Sequence, residues 1–408
     1  MKVYLITIGS EILLGHTVNS NFAYLAEKLA EEGFAISREV CIPDDREEMR
    51  RTFEEGMAEA DVVISIGGLG PTKDDCTRQV AAEVLGADLE HDEDTYRSIC
   101  EYLRKRHVKL PDEAARTQAL VPRGAQIMQN ANGTAPGLWC TSDDKTVILL
   151  PGPPRELKGL VNNEVMSRLK EFYKPEFYRR QLSICGIPES LVADKVEEVA
   201  GDTADEIEIA YCARPSQVDV RLSAPVEGRE AVDKVAVSVA DKFGNAVLEE
   251  GVDDVVESIA TRLSEKGWSL ALAESCTGGQ ISSRITEISG ASRFLAGSII
   301  CYTNEWKQQY LGVKEETIRQ YGAVSRETAG EMLAGIKERT GVEAAIAVTG
   351  IAGPSGGTPE KPVGLVYIAS SAGEIEEVTE HHFPGSRENV RNRTTAAALN
   401  KLREQLLN

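Results

Sequence analysis

Residues 268–289, WSLALAESCTGGQISSRITEIS, join an apolar run to a Gly-Gly pair and then to the pattern of an amphipathic helix. The apolar run predicts a buried strand, and the glycines predict a tight turn into the helix. In α/β sheets such turns lie at the carboxyl edge, where ligands bind. The stretch therefore indicates an α/β fold and places Ser275 and Cys276 at a turn suited to catalysis or ligand binding.

Apolar strands and helices also alternate near the beginning of the chain. KVYLITIG (2–9), DVVISIGG (61–68) and TVILLPG (146–152) are predicted as strands. Near-continuous apolar strands separated by helices are typical of a parallel sheet covered on both faces. We therefore expect an α/β multidomain protein, with an α/β parallel-sheet domain at 1–172, a small α+β domain at 173–250 and a second α/β domain at 251–408.

The middle part has the order strand-helix-strand-strand-helix-strand, with its last strand predicted at NAVLEE (245–250). This order suits a small two-layer unit. Its turn at 186–189, GIPE, lacks the second glycine of the loop with which KH domains clamp nucleotides. We interpret this part as a spacer or dimerisation module, with single-strand binding as the alternative, and we expect a homo-oligomer, a dimer.

Composition limits the partners of the protein. The chain has 408 residues, with 45 Lys and Arg against 65 Asp and Glu, so its formal net charge is −20. Such a charge disfavours nucleic acid and membrane surfaces as partners. The eight cysteines form no CxxC pair, which argues against a zinc site or a disulfide framework. Because no signal peptide or membrane-spanning run is found, we expect a cytoplasmic protein.

A nucleophilic serine needs a base. His381 and His382, in TEHHFPGSR, are more typical of polar residues at a strand edge. Lys307, in CYTNEWKQQYLGV, follows a predicted strand-helix junction with Tyr302 at the strand tip, a layout that suits a Ser–Lys pair assisted by a tyrosine. Spacing alone equally allows a lysine on the surface of a helix.

As a base, Lys307 would have to be neutral near pH 7. Lowering a lysine pKa from about 10.4 to about 8 disfavours the cation by roughly 3 kcal/mol. Desolvation and a neighbouring cation would have this effect. Arg387, after the turn of FPGSR, is a candidate for that cation and equally a candidate to bind an anionic substrate group.

The ordered motifs AESCTGG, CYTNEWKQQYLGV, GAVSRET, AVTGIAGPSGG, KPVG and FPGSR resemble the CinA C-terminal domain, a family of nicotinamide mononucleotide (NMN) deamidases. The resemblance covers about 255–405 and implies Ser275 as the nucleophile, assisted by Tyr302 and Lys307. It implies Thr349 and Arg387 as further site residues.

What the resemblance implies has a chemical interpretation. Ser275 attacks the carboxamide carbon, the N–H groups of the 276–279 turn stabilise the oxyanion, and ammonia leaves. Cys276 is the rival nucleophile, although its side chain is expected to point away. No metal or cofactor is needed for deamidation. The predicted substrate-binding residues are Thr277, Gly278, Gly279, Thr349, Gly350, Gly353 and Arg387.

A second predicted site follows the strand at 61–68 of the first domain. The loop GGLGPTKDD (67–75) has three glycines and a proline that suit close approach to a phosphate, and Asp74 and Asp75 are predicted ligands of a divalent cation. The alternative is that these aspartates cap the following helix. The further predicted residues of this site are Glu11, Gly67, Gly68, Gly70, Thr72, Gly133, Pro136 and Gly152.

This first part resembles the molybdopterin-binding domain of the MoaB and MogA type, as found at the N-terminus of full-length CinA proteins. The resemblance then implies that the small α+β part at 173–250 corresponds to the KH-like middle domain of those proteins. The resemblance implies a metal-dependent ADP-ribose pyrophosphatase, with Asp74, Asp75 and Glu11 around a divalent cation and a monovalent cation as a further candidate. Molybdopterin binding without hydrolysis is the competing implication. For the whole chain, three functions are alternatives. Both sites are active and recycle pyridine nucleotides, or only one of the two sites is active and the other is degraded. In the third alternative the protein is a non-enzymatic accessory protein of DNA uptake or repair.

Overall fold

The computed structural model describes residues 1–72, 74–108, 111–142 and 144–408. The chain divides into two compact units, of which the first comprises Met1–Arg179 and Ala224–Arg229 and the second Arg180–Ser223 and Glu230–Asn408. Within the described residues, no helix has the combination of length and apolar character that crossing a bilayer requires.

The first unit alternates strands and helices, as predicted. Its strands are β1 (Lys2–Ile8), β2 (Ala35–Ile42), β3 (Val62–Ile66), β4 (Leu89–His91), β5 (Leu120–Pro122), β6 (Gln126–Met128), β7 (Gly137–Ser142) and β8 (Lys145–Leu150). Its helices are α1 (Ser10–Leu13), α2 (Ser20–Glu31), α3 (Arg46–Glu59), α4 (Thr77–Val84), α5 (Glu93–Lys105), α6 (Asp112–Gln118), α7 (Pro154–Leu160) and α8 (Met166–Phe172), with a π-helical turn at Val161–Val165.

The main sheet of this unit has the order β2-β1-β3-β8-β7-β6. The first four strands are parallel, which confirms the prediction, while β7 and β6 are antiparallel to their neighbours. Two apolar clusters cover the two faces, one around Leu5 and Trp139 and the other around Tyr4 and Phe53. The carboxyl ends of β1, β3 and β8 lie at the same edge of the sheet as the amino end of antiparallel β7. The predicted glycine-rich turns therefore all lie at this edge.

The middle domain contains β9 (Phe177–Cys185), α9 (Glu189–Ala200), β10 (Glu208–Arg214), β11 (Gln217–Pro225) and α10 (Arg229–Phe243), with the sheet order β10-β11-β9. The fourth predicted strand, 245–250, is wrong: only Val247 forms an isolated bridge, to Ile184. The physical reason is that an arginine side chain takes the backbone carbonyl oxygens that strand pairing would use. Buried Arg403 donates to the carbonyl oxygens of Asn245 (2.8 Å) and Val247 (2.7 Å).

The C-terminal domain contains β12 (Leu270–Glu274), β13 (Leu295–Ile300), β14 (Ala344–Gly350), β15 (Leu365–Ala372) and β16 (Ile375–His382). Its helices are α11 (Val255–Lys266), α12 (Gln280–Thr286), α13 (Asn304–Leu311), α14 (Glu315–Tyr321), α15 (Arg326–Thr340) and α16 (Arg387–Leu407).

This sheet has the order β13-β12-β14-β15-β16, and only β15 runs against its neighbours. The carboxyl ends of β12, β13, β14 and β16 therefore meet at one edge. Helices α11, α12 and α16 pack on one face, while α13 and α15 pack on the other. Central β12 is buried along its whole length, so the turn after it emerges from a fixed strand.

Candidate active site

The turn at 275–279, called the nucleophile turn after the role predicted for Ser275, is anchored by Glu274, the last residue of β12. Its wholly buried carboxylate accepts the N–H groups of Gly279 (2.9 Å), Ile281 (3.1 Å) and Ser282 (2.9 Å). These donors belong to the start of α12, which has no N-cap side chain of its own. Glu274 therefore fixes the turn that carries Ser275. Sequence analysis did not single out this residue, although a carboxylate just before a Gly-Gly helix start favours such a role.

Two glycines give the turn its shape. Gly278 and Gly279 have φ angles of 62° and 94°, a region that favours glycine. The N–H of Gly278 donates to the carbonyl oxygen of Ser275 (3.1 Å), and that of Gly279 is bound by Glu274. Of the N–H groups of the 276–279 turn, which are predicted to stabilise an oxyanion, the turn itself therefore engages two.

Lys307 lies in α13 with its side chain only 2% exposed. Its Nζ is 3.0 Å from Ser275 Oγ and donates to the carbonyl oxygen of Cys301 at 2.8 Å. The interpretation of Lys307 as a surface lysine is therefore wrong. Burial lowers the pKa of Lys307, while the neighbouring thiols of Cys301 and Cys276 act in the opposite direction. Of the two causes that we predicted, desolvation lowers this pKa, and no neighbouring cation among the described residues contributes to the shift.

Cys276 is turned away from this pair. Its side chain is 5% exposed and packs in the apolar cluster that also contains Ile281 and Val390. Burial raises the pKa of the Cys276 thiol to about 11. A thiol that stays protonated at neutral pH is a poor nucleophile, so the geometry favours Ser275 over its neighbour.

Arg391 supports the turn from α16. Its Nε and Nη2 donate to the carbonyl oxygen of Thr277 at 3.2 and 2.7 Å. Thr277 is wholly buried, and its Oγ1 has no hydrogen-bond partner in the part of the chain that the structure describes. Sequence analysis missed Arg391. The available signal was its position four residues after Arg387, which places both side chains on one face of a helix.

Arg387 joins two loops of the sheet edge. Its Nη1 donates to the carbonyl oxygen of Gly353 (2.9 Å), and its Nη2 donates to Tyr302 Oη (2.6 Å). Tyr302 is 56% exposed. The structure thus pairs Ser275 with Lys307 and Tyr302 with Arg387.

Thr349 and Gly350 lie at the end of β14, as predicted. Buried Thr349 donates its hydroxyl to the carbonyl oxygen of Ala323 (2.7 Å), which ties the strand end to a neighbouring loop. A Cβ at Gly350 would lie 2.9 Å from the carbonyl oxygen of Leu365. The glycine is therefore required by close strand packing, and the threonine shapes the loop.

The two histidines lie away from the nucleophile. His381 Nε2 is 2.8 Å from the hydroxyl of Thr379, and His382 pairs with Glu380 at 3.1 Å. Both belong to the edge strand β16, three strands from β12. At about 4.8 Å per strand, that is roughly 14 Å, which excludes both histidines as the base in this arrangement.

A cavity of about 430 Å³ lies at the carboxyl edge of the first sheet. Of the residues predicted for this site, Glu11, Gly67, Gly68, Gly70, Gly152 and Asp75 line the cavity, whereas Thr72, Gly133, Pro136 and Asp74 do not. Asp75 accepts from the N–H (2.9 Å) and hydroxyl (2.6 Å) of Thr72, and Asp74 is exposed. The predicted aspartate pair is therefore split.

Buried Arg78 holds the glycine loop of this cavity. Its guanidinium donates to the carbonyl oxygens of Leu69 (2.7 Å) and Gly70 (3.1 Å). Burial lowers the pKa of Arg78 to about 10, so the group remains cationic at neutral pH. Sequence analysis missed Arg78, since nothing in CTRQVAAEVLG distinguishes it from a surface arginine.

Two further carboxylates, Asp44 and Glu156, line the same cavity. Burial raises the pKa of Glu156, against the opposing effect of a 2.7 Å hydrogen bond from Asn130. A Cβ at Gly133 would lie 1.9 Å from the Glu156 carboxylate, so the glycine makes room for it. Within the described residues, no group of three or more His, Cys, Asp or Glu could hold a metal ion. The predicted cation ligands therefore do not form a complete protein site.

Comparisons with known proteins match each part of the chain. The matching family models are the CinA C-terminal domain over 252–406, a probable molybdopterin binding domain over 4–171 and the damage-inducible protein CinA KH domain over 179–248. A CinA-like protein of Syntrophomonas wolfei is 38% identical over 411 residues, covering 99% of this chain and 98% of that protein. A putative competence-damage inducible protein of Clostridium novyi is 37% identical, covering 100% of this chain and 99% of that protein. A solved structure, competence/damage inducible protein CihA from Agrobacterium tumefaciens, is 39% identical with a TM-score of 0.37, covering 40% of this chain and 100% of that one.

Proposed function

Because the chain belongs to the CinA family, we propose that residues 251–408 are a nicotinamide-nucleotide amidohydrolase, which converts NMN and water into nicotinic acid mononucleotide and ammonia. The observation that carries this proposal is the buried 3.0 Å contact between Lys307 Nζ and Ser275 Oγ. A desolvated amine beside a hydroxyl at a strand-turn-helix junction is suited to nucleophilic attack on an amide.

Lys307 acts as the base when it is neutral. Its hydrogen bond to the Cys301 carbonyl holds the amine beside Ser275 Oγ, and the neutral amine accepts the Ser275 proton there. Ser275 Oγ bonds to the carboxamide carbon as its proton passes to Lys307. The ammonium group then protonates the leaving nitrogen, the C–N bond breaks and ammonia departs. Water, deprotonated by the same amine, hydrolyses the acyl-enzyme and restores Ser275.

The oxyanion is assigned to the N–H groups of Cys276 and Thr277. The N–H groups of Gly278 and Gly279 are held within the turn, so they keep its shape while their neighbours bind the developing charge. Arg391 fixes the Thr277 carbonyl and thereby orients the following peptide. Removal of one such oxyanion donor typically lowers the rate 10²–10³-fold.

The phosphate of NMN is assigned to Arg387. Its guanidinium already joins the Tyr302 hydroxyl to the loop at Gly353, and both partners lie at the same sheet edge as Ser275. An arginine binds phosphate through two parallel hydrogen bonds. This reaction is proposed to need no metal and no cofactor.

The test is ammonia release from NMN by the full chain. Wild type and Cys276→Ala are expected to release ammonia, whereas Ser275→Ala is expected to lose at least ~10³ of the rate. A Ser275→Ala variant that keeps its activity would contradict the mechanism. Absence of ammonia from wild type would contradict the proposed activity.

For the first domain we propose hydrolysis of ADP-ribose, which would join both activities in pyridine-nucleotide recycling. The supporting observation is the 430 Å³ cavity, which combines a three-glycine loop with the carboxylates of Glu11, Asp75 and Glu156. This hydrolysis is proposed to require a divalent cation. The test compares AMP release from ADP-ribose with Mg²⁺ and with a chelator, in wild type and Asp75→Asn. Binding of molybdopterin without hydrolysis of ADP-ribose would favour the competing function.

A further inference from the structure

Two arginines of α16 contact the candidate active site without a carboxylate partner. Arg387 donates to the Gly353 carbonyl (2.9 Å) and to Tyr302 Oη (2.6 Å). Arg391 donates to the Thr277 carbonyl at 3.2 and 2.7 Å. In a chain with 65 Asp and Glu, neither arginine forms an ion pair within the described residues. Both guanidinium charges are therefore available to an anion.

The carboxylate nearest in sequence to Arg391 does not pair with it. Glu388 lies three residues earlier in α16, a spacing at which helical side chains of opposite charge meet. Arg391 instead directs Nε and Nη2 at the nucleophile turn, and its Nη1 donates no hydrogen bond among the described residues. Half-buried Arg391 thus keeps one N–H group free next to that turn.

The two arginines are placed to hold one phosphate. They are four residues apart in α16, so they are neighbours on one face of the helix, with Cβ atoms about 5–6 Å apart. Their partners follow three adjacent strands: Tyr302 follows β13, Thr277 follows β12 and Gly353 follows β14. Since Ser275 follows the central one of these strands, a phosphate held by both arginines lies at the same strand ends as the nucleophile.

Arg391 is also joined to Ser275 by a chain of hydrogen bonds. The Thr277 carbonyl accepts from Arg391, and the N–H of the same peptide group, which belongs to Gly278, donates to the carbonyl oxygen of Ser275 at 3.1 Å. Hydrogen bonds in such a chain polarise and strengthen one another. A ligand that fixes Arg391 therefore also fixes the turn that carries the nucleophile.

We propose that Arg391 binds the substrate phosphate together with Arg387 and couples it to the nucleophile turn, a proposal that rests on the amidohydrolase function proposed above. The phosphate accepts from Arg387 and from Nη1 of Arg391, while Nε and Nη2 of Arg391 stay on the Thr277 carbonyl. Arg391 is a positioning residue for Ser275, because it acts on the nucleophile only through the turn. Binding energy from the remote phosphate then stabilises the transition state, so a substrate without phosphate loses kcat as well as affinity.

The first test compares NMN with nicotinamide riboside, which lacks the phosphate, in steady-state ammonia release by the full chain. We expect kcat for the riboside to be at least about tenfold lower, within the usual range of coupling between two sites. Inorganic phosphate added to the riboside is expected to raise its rate in a saturable manner, because the separate anion binds the same two arginines. An equal kcat for both substrates, or no activation by phosphate, would overturn the proposal.

Arg391→Met separates coupling from a structural role. The variant keeps an unbranched apolar side chain and removes the guanidinium. We expect kcat for NMN to fall at least about tenfold more than kcat for the riboside, and the activation by phosphate to disappear. An arginine that only supports the fold would lower both rates equally, and that result would overturn the coupling. Arg387→Ala is expected to raise the phosphate concentration needed for activation without abolishing the activation.

Arg393→Ala is the matched control. This exposed arginine lies two residues beyond Arg391, about 200° around the helix, and makes no ion pair or hydrogen bond among the described residues. We expect its replacement to leave both rates and the activation unchanged.

Failure of the proposed function has a different signature. If neither NMN nor the riboside releases ammonia, the amidohydrolase function fails and the coupling fails with it. Calorimetric titration of the full chain with inorganic phosphate then still decides whether the anion site exists. Arg391→Met is expected to weaken phosphate binding at least about tenfold, because it removes a charged hydrogen-bond donor, and an affinity equal to wild type would overturn the site.

Discussion

Replacement of Lys307 by methionine tests the central contact of the candidate active site. Methionine has a similar length and is apolar, so it fills the buried space without leaving a large cavity. It removes the amine 3.0 Å from Ser275 Oγ and the hydrogen bond to the Cys301 carbonyl. The nucleophile and the glycine turn stay in place. The variant therefore separates the loss of a base from the loss of the fold.

The expected rate loss follows from what surrounds Ser275. General-base catalysis contributes about 10²–10⁴, or roughly 3–5 kcal/mol at 1.36 kcal/mol per decade. No neighbour can take over: Glu274 is engaged by the start of α12, and burial raises the pKa of Cys276 to about 11. The histidines of β16 lie three strands away. We therefore expect a loss of about 10³ or more in kcat/KM, the upper half of that range.

The pH dependence gives a second result with a defined sign. Lys307 is a base only when neutral, and burial lowers its pKa. In wild type, kcat/KM should rise with pH through this lowered pKa and level off above it. Stability should rise over the window between the lowered pKa and the ordinary lysine value, because there the unfolded chain binds more protons. Both pH dependences should disappear in Lys307→Met.

The assay is ammonia release from NMN across pH, with unfolding monitored by circular dichroism. Exposed Lys314, whose side chain makes no hydrogen bond or ion pair among the described residues, provides the matched control Lys314→Met. Lys307→Arg should also be inactive, since a guanidinium does not lose its proton. More than a tenth of the wild-type rate in a folded Lys307→Met, or an unchanged pH profile, would refute the reasoning.

Three further predictions concern other parts of the two proposed sites. Arg387→Ala should raise KM for NMN about 10–100-fold with a smaller effect on kcat, as steady-state kinetics would show, whereas a pure kcat effect would contradict phosphate binding. Cys276→Ala should change kcat less than about threefold while lowering the melting temperature through lost packing, and inactivation of a folded variant would reinstate the thiol as nucleophile. Because burial raises the pKa of Glu156, the free energy of unfolding of the first unit should fall as pH rises from the ordinary glutamate pKa toward the raised one. Urea unfolding across pH should show this fall in wild type and not in Glu156→Gln. A fall that persists in the variant would belong to other groups.

The sequence was sufficient for the central strands and for the nucleophile turn. Runs such as DVVISI and LALAE are apolar without interruption, because both faces of a central parallel strand are covered. A glycine pair after such a strand leaves few alternatives to a strand-turn-helix junction. The antiparallel end of this sheet was less predictable. Edge strand β6 and its neighbour β7 are short or close to turns, and their direction depends on chain reversals that periodicity does not encode.

Side-chain partners across the chain were not predictable from spacing. Lys307 reads as a polar position on a short helix, and only the packing of α13 against β12 and β14 buries it. The wrong prediction of a strand at 245–250 also has a long-range cause. Arg403, more than 150 residues later in the chain, donates hydrogen bonds to the carbonyl oxygens of Asn245 and Val247. Asp74 and Asp75 are adjacent in sequence, yet only one of them faces the cavity. Such contacts are long-range, and a local pattern contains no information about them.

The first turns of α16 place positive charge beside the candidate active site of a protein whose net charge is −20. Arg387 lies in the first turn of this helix, where the macrodipole disfavours cations, and Arg391 follows in the second turn. Helix stability therefore does not account for Arg387. Arg387 and Arg391 each bind a loop of the candidate active site. Within a Debye length of about 8–10 Å, such a local group outweighs the distant acidic surface.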